Sequence, residues 1–462
     1  MTNIFKIEAI SPLDGRYRDK IDELKHYFSE YALQKFRIKV EVEYYIFLME
    51  QGLFTIPANI LSKRSILRAI YAGFNIHEAE RIKKIESVTN HDVKAVEYYI
   101  KEKLKTYGLN DYLEYVHFGL TSQDINSAST SLMMMKCMDN IMFPNFNNLL
   151  SKIKSLADEY IDIPMLSRTH GQSASPTYLG KEFLVFYERM NNQIEYLKEI
   201  KYTTKFGGAT GNMNAHYFTD DSYDWSKLFD KFIDSLSQHT SLKLIRNQYT
   251  TQIDHYDNYS VLFDNLNRIC ILLIDFCVDI WYYISLGYFK QKIVAGEVGS
   301  STMPHKVNPI NFENAEGNFY LASSMFQFLS RKLPISRLQR DLTDSTITRN
   351  IGMGFGYMLL AIKSCLTGLN KLQVNTTQID KDLDDNYVVI TEGIQTLLRH
   401  RGISNPYEAM KTITRTNNND CSNKDEIKIK INDYLETIEI SEEDKQKIKN
   451  LTPNNYCGRK LK

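Results

Sequence analysis

Residues 257–289 read DNYSVLFDNLNRICILLIDFCVDIWYYISLGYF, and the architecture is decided here. From Ile269 to Phe289 the segment is apolar nearly all the way round at helical spacing. A helix of that kind must be covered on every side. Asp275 and Asp279 interrupt the run, and a charge near a bilayer centre costs roughly 2.5–3.5 kcal/mol. A buried helix is therefore expected rather than a membrane span. Four more long segments, 126–160, 176–201, 311–333 and 351–372, exceed the usual helix length. The expected fold is all-α: three helical domains around a long central bundle. A single chain covers a central helix only in part, so copies of the chain are expected to complete the packing.

Outward from the bundle, residues 1–115 read as a first helical domain. Its helices are expected at Ala32–Gln51, with an apolar stripe of Leu33, Phe36, Val40, Tyr44, Phe47 and Leu48, and at 77–85 and 93–104. Asn90 or Asp92 is a candidate cap for the last of these. Residues 116–370 form the long-helix domain and 371–462 a smaller charged one, where Ser441 followed by Asp444 marks a helix start. The 56 basic and 56 acidic residues cancel, which argues against a nucleic-acid or membrane partner. Any anionic ligand must be gripped by locally clustered basic groups. The six cysteines form no C-x-x-C pair, consistent with reduced thiols in a cytoplasmic protein rather than a disulfide frame or zinc site. No signal peptide is expected from MTNIFKIEAI.

Polar breaks separate the long helices: HFGLTSQDIN at 117–126, SRTHGQSASPT at 167–177, FGGATGNMNAHYFT at 206–219 and GEVGSSTMPHKVNP at 296–309. The last is far longer than an ordinary helix connection. Gly296 and Gly299 relax its backbone, and Pro304 and Pro309 keep it out of either helix. It reads either as a polar surface loop or as a binding segment that closes over a ligand.

That string resembles the GSSxMPxKxNP signature of the fumarase/aspartase superfamily, whose members eliminate fumarate. With SPLDGRY at 11–17, TNHDVKAVE at 89–97, TSQDIN at 121–126, RTHGQ at 168–172, YTTQID at 249–254 and QRDLTDSTITRN at 339–350, the chain resembles the adenylosuccinate lyase family of the longer bacterial type. The likeness runs from about residue 8 to about residue 458. Gln123 stands where the family carries an acid, and 235–247 is longer than in the family. The resemblance implies a helical homotetramer with sites shared between chains. It also implies cleavage of adenylosuccinate to AMP and fumarate, and of the related succinyl-carboxamide ribotide. The rivals are another fumarate-releasing lyase of the argininosuccinate lyase or fumarase type, and a non-catalytic scaffold.

A β-elimination needs a base for a carbon proton, stabilisation of the carbanion, and an acid for the leaving nitrogen. The resemblance implies Ser300 as base, with Ser301 as alternative, and Lys306 and Asn308 as oxyanion partners. It implies His170 as acid, oriented by Glu313. It further implies substrate contacts from Arg16, Tyr17, Asn90, His91, Asp92, Thr121, Ser122, Thr169, Gln252, Met303, Arg340, Ser345 and Arg349. The ligand is a small nucleotide. No metal or other cofactor is expected, because no metal-ligand spacing or glycine-rich phosphate loop occurs.

Overall fold

The computed structural model describes residues 6–53, 64–238, 240, 242–292, 302–303, 305–416, 419–420 and 424–460. Ser300, Ser301 and most of the Gly296–Pro304 segment fall outside the described residues. Among the described residues the chain is all-α apart from four two-stranded pairings. The expected long helices are observed at Asp257–Ser285, Ile310–Lys332 and Ile351–Lys371. The 126–160 segment is two helices, Ser122–Cys137 and Phe143–Glu159, joined through a π turn at Met138–Met142. That widened turn lies just before Pro144, which has no N–H for the ladder.

The helix expected at 176–201 starts later, at Leu179, and runs to Glu199. Residues 172–178 are instead the second strand of an antiparallel hairpin, β1 (Pro164–Thr169) and β2 (Gln172–Tyr178). Pro176 and the Ser/Thr residues around it favour extended backbone over helix. The cap at 90–92 is also corrected. His91 is the N-cap of Asp92–Thr106, its ring nitrogen accepting from the Lys94 N–H at 3.1 Å. Asn90 closes the preceding helix, Ile76–Thr89, in the left-handed region, which asparagine tolerates better than most residues. Ser441 caps Glu442–Lys449 as expected, accepting from the Asp444 N–H at 3.1 Å.

The chain packs as two compact units. The first comprises Met1–Asn147, Asn192–Ile274 and Asn314–Lys363. In it the Glu30–Glu50 helix packs on Ser122–Cys137, and Tyr44, Phe206, Phe229 and Phe232 form an aromatic knot. The strands Tyr202–Thr204 and Leu244–Arg246 pair in parallel. The second unit comprises Asn148–Asn191, Asp275–Glu313 and Ser364–Lys462. It holds the hairpin, the aromatic cluster of Tyr160, Phe183, Phe276 and Phe289, and a C-terminal core of Ile394, Leu398, Ile427, Ile431 and Leu435 among others.

One helical stretch among the described residues, Thr343–Lys371, is long and apolar enough to cross a membrane, but 61% of its apolar window is buried within the chain, as in a core helix. Asp275, on the segment singled out from sequence, is exposed and paired with Arg189 at 2.6 Å. The Asp257–Ser285 helix keeps apolar positions open to solvent, with Ile271 50% and Tyr282 57% exposed.

Candidate active site

The site begins at the turn 117–122. The Ser122–Cys137 helix starts after Thr121, whose N–H donates to Asp124 Oδ2 at 2.8 Å. This is the reach-back half of a capping box. Asp124 is fully buried and does more than cap. Its Oδ1 accepts from Lys205 Nζ at 2.6 Å and from the Gly207 N–H at 2.7 Å, and the Gly208 N–H lies within 3.2 Å. Burial pushes the Lys205 ammonium below its usual range, and Asp124 opposes that shift. The other end of the turn is also tied down. Phe118 O accepts from Tyr44 Oη at 3.0 Å and lies 3.2 Å from His216 Nε2. A Cβ at Gly119, where φ is 67°, would stand 2.4 Å from that ring. His117 Nδ1 sits 2.6 Å from the buried Glu41. Burial alone would lower the His117 pKa, but Glu41 and then Glu97 bring it up to about 8. Burial holds His216 down at about 4, so one ring is cationic near neutrality and the other neutral.

Below this turn lies a cleft of about 510 Å³, lined wholly by residues of the first unit. It gathers Asn90, His91, Asp92, Ser122, Arg340, Ser345 and Arg349, seven residues singled out from sequence. Asp92 is the electrostatic centre. It accepts from Arg37 Nη2 and from Arg349 Nη2, each at 2.7 Å. Burial would raise its pKa, but Arg37 and, more weakly, Arg349 hold it at about 2. Arg349 also donates to Glu30 at 3.2 Å. Opposite, Arg340 donates to Gln252 Oε1 at 3.1 Å and to Ser345 Oγ at 3.2 Å, and Gln123 Nε2 donates to the same hydroxyl at 3.1 Å. Gln252 thus reaches the cleft through Arg340. Thr121 adjoins Ser122. Arg16 and Tyr17 are in the first unit but are not lining residues; Tyr17 Oη accepts from Asn314 at 3.4 Å.

Arg37 was not picked out by sequence. It is buried, its Nε donates to Asn126 at 2.9 Å, and its Nη1 has no partner among the described residues. The available signal was a guanidinium on the core stripe, one turn on from Leu33, since an arginine there must be paired.

The second unit carries the other candidates. Thr169 pairs with Gln172, and His170 and Gly171 form the two-residue loop between them, with φ of 54° and 75°. Positive φ at both positions is what a type I′ hairpin turn requires. The His170 ring is exposed and makes no hydrogen bond among the described residues. Lys306 is exposed, and its N–H donates to Met303 O at 3.0 Å. Asn308 lies two residues before the Ile310–Lys332 helix. In that helix's first turn Glu313 accepts from Trp281 Nε1 at 3.1 Å.

A family model described as Lyase matches residues 15–320, and one described as Adenylosuccinate lyase C-terminal matches residues 336–457. The fold resembles a fumarate lyase from Mesorhizobium sp. BNC1, with a TM-score of 0.75, 17% identity and 95% of each chain covered. It also resembles a 3-carboxy-cis,cis-muconate lactonizing enzyme from Pseudomonas putida, with a TM-score of 0.73, 18% identity, and 99% of this chain and 96% of that one covered. Fold and family model together define a lyase. In sequence the chain is 48% identical to an adenylosuccinate lyase of Dictyostelium discoideum and 45% identical to that of Escherichia coli K12, in each case over 98% of this chain and 97% of the relative. The chain belongs to the adenylosuccinate lyase family.

Proposed function

We propose that the chain releases fumarate from adenylosuccinate, giving AMP, and from the succinyl-carboxamide ribotide, in sites shared between the copies of a homotetramer. Ser300 Oγ, ionised to the alkoxide beside the Lys306 ammonium, takes the proton from the carbon beside the succinyl carboxylate and becomes the neutral hydroxyl. Lys306 and Asn308 stabilise the charge that then builds on that carboxylate. The electron pair forms the fumarate double bond as the C–N bond breaks, and His170 gives its proton to the departing nitrogen. Glu313 orients His170. The cleft takes the nucleotide: Arg349 and Arg340 bind its anionic part with Arg37 behind them, and Thr121 and Ser122 bind a carboxylate.

The observation that carries this reading is the convergence of seven motif residues on one arginine-lined cleft. The ring of His170, held out on a hairpin tip and without a hydrogen-bond partner among the described residues, supports it. The open apolar positions of the long helices, with Tyr320 56% and Phe328 50% exposed on Ile310–Lys332, support assembly. In this reading the chain has domains 1–115, 116–370 and 371–462 and works in the cytoplasm.

The test is ultraviolet absorbance of purified protein mixed with adenylosuccinate, with fumarate measured separately. Ser300→Ala and His170→Ala are expected to lower kcat at least about 10²-fold. Parental rates in Ser300→Ala would remove the base assignment, and absence of AMP from the parent protein would remove the whole reading. Sedimentation should show four copies.

A further inference from the structure

We propose that Asp382 and Asn386 are positioning residues for His170, setting the orientation of the hairpin tip from which its ring works. The proposal rests on the reading of His170 as proton donor.

The tip cannot orient itself. His170 and Gly171 are the whole loop, and the ring has no partner among the described residues. Nor does the rest of the ladder fix it. Register shifts between Leu166 and Arg168, and such a bulge bends the strand and disrupts pairing locally. Only two pairs lie beyond the bulge, Arg168 with Ser173 and Thr169 with Gln172. Side chains directly opposite across an antiparallel pair share a face, so Arg168 and Ser173 project together.

Both are held by one helix end. Arg168 Nη2 donates to both carboxylate oxygens of Asp382, at 3.0 and 2.7 Å. Ser173 Oγ donates to Asn386 Oδ1 at 2.6 Å. Asp382 lies in the helix Thr376–Asp385 and Asn386 follows it as its C-cap, so the two are four residues apart on one face. Asn386 Nδ2 donates to the Asp382 carbonyl at 2.8 Å, which turns its oxygen toward Ser173. Tyr288 closes the arrangement, donating to Asp382 and accepting from Arg168 Nη1 at 3.0 Å. The hairpin is thus clamped on both strands one pair behind His170. A rotation of that pair would move the ring, and a misplacement of about 1 Å can cost about 10²-fold in rate.

The experiment compares full-length Asp382→Ala, Asp382→Asn, Asn386→Ala, His170→Ala and the double variant His170→Ala/Asp382→Ala. It measures kcat and KM for adenylosuccinate, with circular dichroism and sedimentation confirming fold and assembly. Asp382→Ala should lose about 10- to 100-fold in kcat with KM changed less than about twofold, as for an interaction used in the chemical step. Asp382→Asn, which keeps one acceptor, and Asn386→Ala should fall between it and the parent; they carry the test if Asp382→Ala does not fold. In the double variant the loss should equal that of His170→Ala, because the clamp acts only through the ring. Parental kcat in Asp382→Ala beside a slow His170→Ala overturns the clamp alone. So does a multiplied loss in the double variant. Parental kcat in His170→Ala instead overturns the proton-donor reading, and the clamp with it.

Discussion

Asp124→Asn isolates the charge that holds the 117–122 turn together. In the parent, Asp124 and Lys205 are both wholly buried, 2.6 Å apart. Without the carboxylate charge, Lys205 keeps only neutral acceptors, the new amide oxygen and the Gly208 carbonyl. A buried ammonium with only neutral acceptors does better to lose its proton. Neutralising a lysine of ordinary pKa at pH 7 costs about 4.5 kcal/mol, and about 2 kcal/mol at pH 9, at 1.36 kcal/mol per unit. The sign follows from proton counting. In the variant the unfolded chain holds the Lys205 proton and the folded chain does not, so stability rises with pH. In the parent the carboxylate favours the ammonium and flattens that slope. Asp124→Asn should therefore unfold about 4 kcal/mol more easily than the parent at pH 7, with the gap narrowing by more than about 1 kcal/mol by pH 9. Lys205→Met, which strands a carboxylate that still has three N–H donors, should cost about 3 kcal/mol. The double variant should cost less than either single one. Urea denaturation at the two pH values reads all three. A penalty for Asp124→Asn that does not change between pH 7 and pH 9 would refute the buried-charge argument.

His117 gives the opposite pH dependence. Its folded pKa of about 8 lies above the ordinary histidine value, so its contribution of about 2 kcal/mol is complete below about pH 6.5 and lost as pH rises through about 8; His117→Gln should remove that decline from a stability–pH curve. Gly180→Ala would put a Cβ 2.3 Å from the Ala157 carbonyl oxygen, so the thermal midpoint should drop by an amount equivalent to about 1–3 kcal/mol, and an unchanged midpoint would count against the packing described. Arg349→Met should lower kcat/KM for adenylosuccinate about 10- to 150-fold, the range for a charged hydrogen bond of roughly 1.5–3 kcal/mol; a parental ratio would take Arg349 out of the substrate contacts.

The long helices were legible because their apolar runs are too long to be anything else in a helical chain; the ends of Ile310–Lys332 and Ile351–Lys371 fall within a residue of those read from sequence, whereas 126–160 is broken by a π turn, 176–201 starts at Leu179 and 257–289 stops at Ser285. The hairpin was not. QSASPTY has no alternation of apolar and polar residues, and His-Gly is not among the strong two-residue turn pairs. Its strands exist because 164–169 pairs with 172–178 and because Arg168 and Ser173 are held from 382 and 386, more than 200 residues later. No local pattern reports a contact of that range. The same holds for His91, which caps a helix although its neighbours Asn90 and Asp92 are the better capping types. Asn90 is occupied in a left-handed C-cap, and Asp92 is held by two arginines.

The site's charge was the least legible part, because the chain's formal charge is zero and a sum hides arrangement. In the cleft Arg37, Arg340 and Arg349 face only two carboxylates among its lining residues that pair with them, Asp92 and Glu30. These two are not equivalent. Asp92 is shared by two guanidiniums and held ionised down to a pKa of about 2, so it stays when a ligand enters. Glu30 is 41% exposed on its side chain and meets Arg349 at 3.2 Å, and an exposed pair of that kind contributes at most about 1 kcal/mol. An anionic oxygen arriving at Arg349 therefore competes with Glu30 and not with Asp92. The less exposed carboxylate fixes the guanidinium plane, and the more exposed one keeps it neutralised at little cost, to be replaced by the anionic ligand proposed for the cleft. Composition could only say that any grip on an anion must be local; the unequal burial of Asp92 and Glu30 says where it gives way.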